Sequence, residues 1–249
     1  MGESAFLGGV FAGLVYLIAG LHLIRLSWQS QKAPELLLGT SLFLWGLSYV
    51  CWQIPIATAD QPLTQPLFFA GRVFTHAGTI FFAYFIWIVF CDQARWARYL
   101  VYTIAICLFA GVAGSISVGD WEGIRPLSNR WWWLDWTAGV VATSWVGVEG
   151  FIQYPKARQR MRLGLCDPLV CNRYLLWGIV GVVWTVYSGV LLHQTAEFET
   201  YQVWSITMDR ANGVVEAIGV TLVWLIFFPP RFYQRWVCGA DPQLKAAES

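Results

Sequence analysis

The chain has 249 residues, 57% of them hydrophobic and 12% charged, with a mean hydropathy of +0.52 and a formal net charge of +1. That composition is too apolar for an ordinary soluble domain. The lipid bilayer is the expected partner, and no nucleic-acid partner is read from basic residues whose distribution orients the chain in a membrane.

A transmembrane helix takes about 20 mostly apolar residues. Seven such stretches occur, at about residues 5–24, 36–56, 67–90, 99–118, 132–153, 174–193 and 205–228. The expected fold is therefore all-α, an integral membrane bundle of seven transmembrane helices over 1–230, followed by a short cytoplasmic amphipathic tail over 231–249. The first stretch follows Met1-Gly2-Glu3-Ser4, which has no basic region, and is long enough to span. It reads as a retained helix and not as a cleaved signal peptide. Prolines punctuate the connections at Pro34, Pro62, Pro66, Pro126, Pro155, Pro168 and the Pro229-Pro230 pair.

The third stretch carries Arg72, Thr75, His76 and Thr79, and the seventh carries Asp209, Asn212 and Glu216. Each set recurs at helical spacing and forms one polar stripe on an apolar rod. Asp135 lies about one turn into the fifth stretch, and Gln53 near the outer end of the second. Glu149, at the inner end of the fifth, is expected to snorkel or to pair with nearby basic residues. Arg231, Phe232, Tyr233, Arg235 and Trp236 mix basic and aromatic side chains, as in a helix lying along the headgroups.

Orientation follows from Lys and Arg in the loops. Of the 16 basic residues, all but Arg125, Arg130 and the intraspan Arg72 and Arg210 fall in connections 1–2, 3–4 and 5–6 or in the tail. That asymmetry predicts a cytoplasmic C-terminus and an outer N-terminus. The most basic connection, 154–173, is either a topology signal attracted to anionic lipid or, with the C-terminal tail, a docking surface for a cytoplasmic signalling partner. Most of the 16 tryptophans, including the Trp131-Trp132-Trp133 run, are expected in headgroup-level aromatic belts. The six cysteines form no disulfide framework, and the Cys166/Cys171 spacing lacks the further ligands of a zinc site.

Ionisable groups inside a bilayer usually face the bundle interior and find partners. With this topology both stripes enter from the outer face. Matched depth then predicts Arg72 with Asp209, and His76 towards Glu216 or Asn212, with Asp135 on the same level. The candidate ligand-binding or proton-linked residues are thus Arg72, His76, Asp135, Asp209, Asn212 and Glu216. A buried ion pair that only fixes helix register is the alternative.

No cofactor, metal or catalytic residue is expected. Lys32, Lys156 and Lys245 all lie in cytoplasmic segments, so no lysine sits where a retinal Schiff base needs one. His22, His76 and His193 do not form a facing pair of haem ligands. There is no H-x-x-x-H or H-E-x-x-H, and no serine or cysteine has a histidine at helical spacing, so an enzyme is not the favoured reading. A sensory or ligand-binding module fits best, with proton- or cation-coupled transport as the alternative.

Three strings carry a resemblance: Phe90 to Arg98, Arg162 to Gly178 and Phe228 to Trp236. Together they resemble a group of uncharacterised bacterial seven-helix membrane proteins, which implies a multi-pass protein of the bacterial inner membrane and no particular activity. The layout is also similar to the seven-helix sensor regions ahead of some bacterial histidine kinases, although no kinase is fused here.

Overall fold

The computed structural model describes the backbone of residues 3–58, 61–120, 129–198 and 206–238, with side chains over 9–54, 65–120, 129–193 and 214–238. The expected loop regions around 121–128 and 199–205 and the tail beyond 238 lie outside the described residues. The described residues form eight helices and no strand: α1 (Glu3–Ser30), α2 (Ala33–Thr58), α3 (Gln61–Phe90), α4 (Arg95–Ser117), α5 (Arg130–Arg162), α6 (Pro168–Phe198), α7 (Ile206–Phe227) and α8 (Arg231–Cys238). Backbone groups without water must be satisfied within their own segment, which is why an apolar chain of this kind folds as helices.

Among the described residues, five helices are long and apolar enough to cross a bilayer, through Gly9–Ser30, Ala33–Ile54, Gln65–Phe90, Arg95–Ser117 and Pro168–His193. Val214–Phe227 and Arg231–Cys238, bent by 75°, make a sixth if taken as one span. α5 falls short by hydropathy because it carries Asp135, Glu149 and a tryptophan-rich start. Large apolar side chains also face outward in stripes. On α1 these are Phe11, Leu14, Ile18 and Leu21; on α4 they are Tyr99, Tyr102, Ile106 and Phe109. Such continuous apolar faces belong to a membrane-embedded protein and not to one surrounded by water.

The helices extend beyond the apolar stretches. Pro66 and Pro155 lie inside α3 and α5 and do not end them. A proline costs an interior helix one backbone bond, but neighbouring helices can hold the rod together around it. Most of the expected basic connection is therefore helix. α5 runs to Arg162, and Gly164 at φ 72° closes it, with Leu165 N–H donating to Arg160 O at 2.9 Å and Gly164 N–H to Met161 O at 3.0 Å. Asp167 then caps α6, its Oδ1 accepting from Leu169 N–H at 2.7 Å, with Pro168 at the first helical position.

Glycines allow two close crossings. Gly20, Gly39 and Gly46 bring α1 against α2, and Gly147, Gly150, Gly178 and Gly181 bring α5 against α6. α3 neighbours α2, α4 and α5, whereas α7 packs on α1 and α6. Between them lies an aromatic core of Tyr16, Trp45, Phe82, Trp145, Trp177 and Trp184. The tryptophans thus divide: Trp28, Trp96 and Trp236 are exposed as belt residues should be, while Trp45, Trp145, Trp177 and Trp184 fill the core. All six cysteines are free thiols.

Candidate functional site

The buried polar groups form separate clusters, each built from different helices. The largest joins α3, α4 and α5. Asp135 is 6% exposed and Arg72 7%. Arg72 donates to Asp135 Oδ2 through Nη2 at 2.5 Å and Nε at 3.2 Å. Its Nη2 also donates to Ser115 Oγ at 2.9 Å, and Nη1 reaches the Asp120 carbonyl at 3.5 Å.

Local structure explains why those acceptors are there. Gly119, at φ 77°, ends α4, so that Asp120 N–H returns to Ser115 O at 3.0 Å. The guanidinium therefore sits at the C-terminal, partly negative end of α4. Gly111 and Gly114, one turn before, let α5 approach, with Trp131 and Asp135 lying against them. Asn129 caps α5 by accepting from Trp131 N–H at 3.0 Å. Its amide donates to Ser115 Oγ at 3.0 Å and to Asp120 Oδ2 at 2.7 Å. The loop, α4 and α5 are thereby stitched to Arg72.

His76 completes this cluster. Its Nδ1 lies 2.6 Å from the Arg72 carbonyl one turn back, and its Nε2 lies 3.1 Å from Asp135 Oδ2. Both neighbours are acceptors, since one is a carbonyl and the other a carboxylate already paired with Arg72. Only the doubly protonated ring donates to both. A neutral ring leaves one nitrogen lone pair facing an acceptor. Both ring nitrogens are engaged, and neither is directed at an open ligand position. Thr75 and Thr79, on the same stripe, instead donate to their own helix, to Gly71 O and Thr75 O.

The second cluster lies across the bundle, between α2 and α7. Glu216, 8% exposed, accepts a hydrogen bond from the Tyr49 hydroxyl. Tyr16 on α1 is fully buried beside them, and its hydroxyl has no hydrogen-bond partner. The third cluster is at the opposite end of α5. Glu149 is buried and accepts from Trp145 Nε1 at 3.3 Å, with the Cys91 thiol beside its carboxylate. It is buried rather than snorkelling, and among the described residues it forms no ion pair with the basic residues of the connection.

The expected single constellation is therefore not what the described residues form. Arg72 and His76 meet Asp135, while Glu216 meets Tyr49. The reason is azimuth. Matched depth places groups at one level, but α7 docks on α1 and α6, with no close backbone approach to α3 among the described residues. Asp209 and Asn212 ride on α7, as does Arg210, and their side chains lie outside the described residues. Gln53 lies against Gly9 between α1 and α2, with its Oε1 buried and unbonded.

Sequence reasoning missed Ser115, Asn129, Tyr49 and Tyr16. The signals existed: Gly111, Gly114 and Ser115 form a small-residue face, Asn129 precedes a helix start as a cap residue does, and tyrosines at mid-span depth need polar partners. No protein-family model matches this chain, and no curated protein and no solved structure is similar to it, so the reading of its function rests on its own geometry.

Proposed function

We propose that this chain is a seven-span protein of the bacterial inner membrane, with its N-terminus outside, acting as a sensory or ligand-binding module. In this reading α5 and α7 also span, because tryptophans at the start of α5 suit the headgroup level and Asp135 has an internal partner. The observation that carries the sensory reading is His76, with an acceptor at each ring nitrogen in the buried cluster of Arg72, Asp135, Ser115, Asn129 and Asp120. Imidazole is the side chain whose charge ordinarily changes between about pH 5 and 8. A neutral ring donates to only one of its two acceptors, and a change there bears directly on the contact between α3 and α5.

α5 links that event to the far side. From Asp135 to Arg162 the helix runs 27 residues, about 40 Å at the usual rise. Its last turns carry exposed Lys156, Arg158, Arg160 and Arg162, the surface on which a cytoplasmic partner would read the change. α8 adjoins that side, with Tyr233 OH held by Asn172 at 2.7 Å.

Transport is the second reading, favoured by Glu216, a carboxylate buried in the bundle. Against it, no hydrogen bond joins the three clusters to one another among the described residues. Reconstituted protein labelled at Cys166 separates the two. Acidifying the outer side from about pH 8 to about pH 5 is expected to change the label's emission, and His76→Gln and Asp135→Asn to abolish the change. Proton or cation flux that disappears in Glu216→Gln, with no response at Cys166, overturns the sensory reading.

A further inference from the structure

The chain turns sharply where α7 gives way to α8, and that corner presents a surface none of the three clusters uses. Pro229 and Pro230 offer no backbone N–H to continue α7, and Val214–Phe227 meets Arg231–Cys238 at 75°. Two side-chain bonds hold α8 in that direction. Gln234 Nε2 donates to Pro229 O at 2.7 Å, and the Asn172 amide of α6 donates to Tyr233 OH at 2.7 Å. A short helix set nearly square to the one before it runs along a membrane surface and not through it. Tyr233 is half-buried, whereas Phe232 and Trp236, one turn apart, are 74% and 77% exposed, with Arg231 exposed beside them. Bare rings next to a basic side chain suit the boundary between headgroups and acyl chains.

The end of α1 adjoins the same corner. The His22 ring lies 4.8 Å from that of Phe228, which in turn lies 4.5 Å from Trp224. The outward apolar stripe of α1, through Leu14, Ile18 and Leu21, runs on into exposed Arg25 and Trp28. That change from aliphatic to basic and indole side chains along one face marks headgroup level. Arg25 stands three residues beyond His22, and Arg231 three beyond Phe228. The fold thus brings arginines from opposite ends of the sequence to one corner, and among the described residues neither has an acidic partner.

We propose that this corner binds an anionic phospholipid, with Arg25 and Arg231 on its phosphate and Trp28, Phe232 and Trp236 at the level of its glycerol. Its acyl chains lie along the stripe of α1. Charge and apolarity together select this occupant. A guanidinium donates charge-assisted hydrogen bonds to a phosphate, and a zwitterionic headgroup brings its own ammonium to compete for that contact. A soluble phosphate makes no use of the rings. Each arginine near an anionic surface contributes about fivefold in affinity. The site shares no residue with the cluster around His76 or with the basic last turns of α5. It therefore stands or falls independently of the sensory reading and of which face of the membrane is cytoplasmic.

The test uses the full chain in phosphatidylcholine nanodiscs doped with a phosphatidylglycerol that carries a photoreactive diazirine in its headgroup. After irradiation and digestion, adducts are expected in 22–28 and 228–236, reduced by unlabelled phosphatidylglycerol and not by soluble glycerol phosphate. Arg25→Gln and Arg231→Gln should each lower their yield about fivefold, and the pair about 25-fold. Arg25→Lys with Arg231→Lys, which keeps both charges, should retain most of it. The proposal is overturned by an equal yield from a phosphatidylcholine probe, by adducts that survive the double glutamine variant, or by competition from glycerol phosphate. It is equally overturned by adducts confined to the turn between α5 and α6. Labelling lost only in discs that hold two chains overturns it in favour of a second copy on this face.

Discussion

Asp135→Asn is the sharpest perturbation of the outer cluster, because it removes a charge and almost no volume. Asp135 Oδ2 holds Arg72 through two donors and His76 through a third contact. Arg72 and Asp135 are both more than nine-tenths buried, so water cannot replace the lost anion. Breaking one side of a buried pair typically costs about 3–5 kcal/mol, most of it the penalty of the charge left behind. For a chain of this size that corresponds to a fall in Tm of roughly 6–20 °C. Thermal melts of the full chain in nanodiscs, followed by tryptophan emission, measure it. The double variant Arg72→Met with Asp135→Leu removes both charges and should recover most of the loss, short of what His76 forfeits. A cost below about 1 kcal/mol, as at an exposed pair, would refute the reasoning, as would a double variant no better than Asp135→Asn alone.

Other expectations follow from the packing and the cytoplasmic end. A methyl at Gly181 would lie 2.2 Å from Gly147 Cα, so Gly181→Ala should force α5 and α6 apart and cost about 1–3 kcal/mol; Gly139→Ala meets nothing within 4 Å and should be neutral or gain up to about 1 kcal/mol in the same melts. Asn129→Ala loses the cap of α5 together with its bonds to Ser115 and Asp120, for a loss of about 1–2 kcal/mol. Burial, and then the Glu149 carboxylate beside it, push the Cys91 thiol up to about 12. At pH 8 its alkylation by iodoacetamide should be roughly a thousandfold slower than that of an ordinary thiol, and Glu149→Gln should speed it. Because this raised value keeps the proton on in the folded state, Cys91 contributes stability that is complete below about pH 9 and is lost as pH climbs towards 12.

The helices were legible because their signal is local: a run of apolar residues long enough to cross a bilayer forms a helix wherever it packs. The polar stripes were legible for the same reason, since spacing along one rod fixes a face. Partnership was not, because it depends on which rods are neighbours. The expected topology gives Arg72 and Asp209 one depth, yet among the described residues α5, which carries Asp135, lies beside α3 and α7 does not. Glu149 misled in the same way. Its position at the end of a span suggested a solvated or snorkelling carboxylate, but it is buried beside Cys91 and Trp145. The tryptophans reached both outcomes, since a ring that suits the headgroup level also fills a core.

The packing order has a consequence for how the protein is made. Nearly every helix rests against the one before it, so α2 to α6 each find a partner as soon as they leave the ribosome. α7 rests on α6 as well, but it alone among the described helices after α2 also returns to α1 and closes the ring. Until it arrives, α1 and α2 must wait in lipid with Tyr16 and Tyr49 on an unfinished flank. The last event of assembly therefore brings Glu216 to Tyr49, and a hydrogen bond inside hydrocarbon acts as the latch that holds the final helix in place.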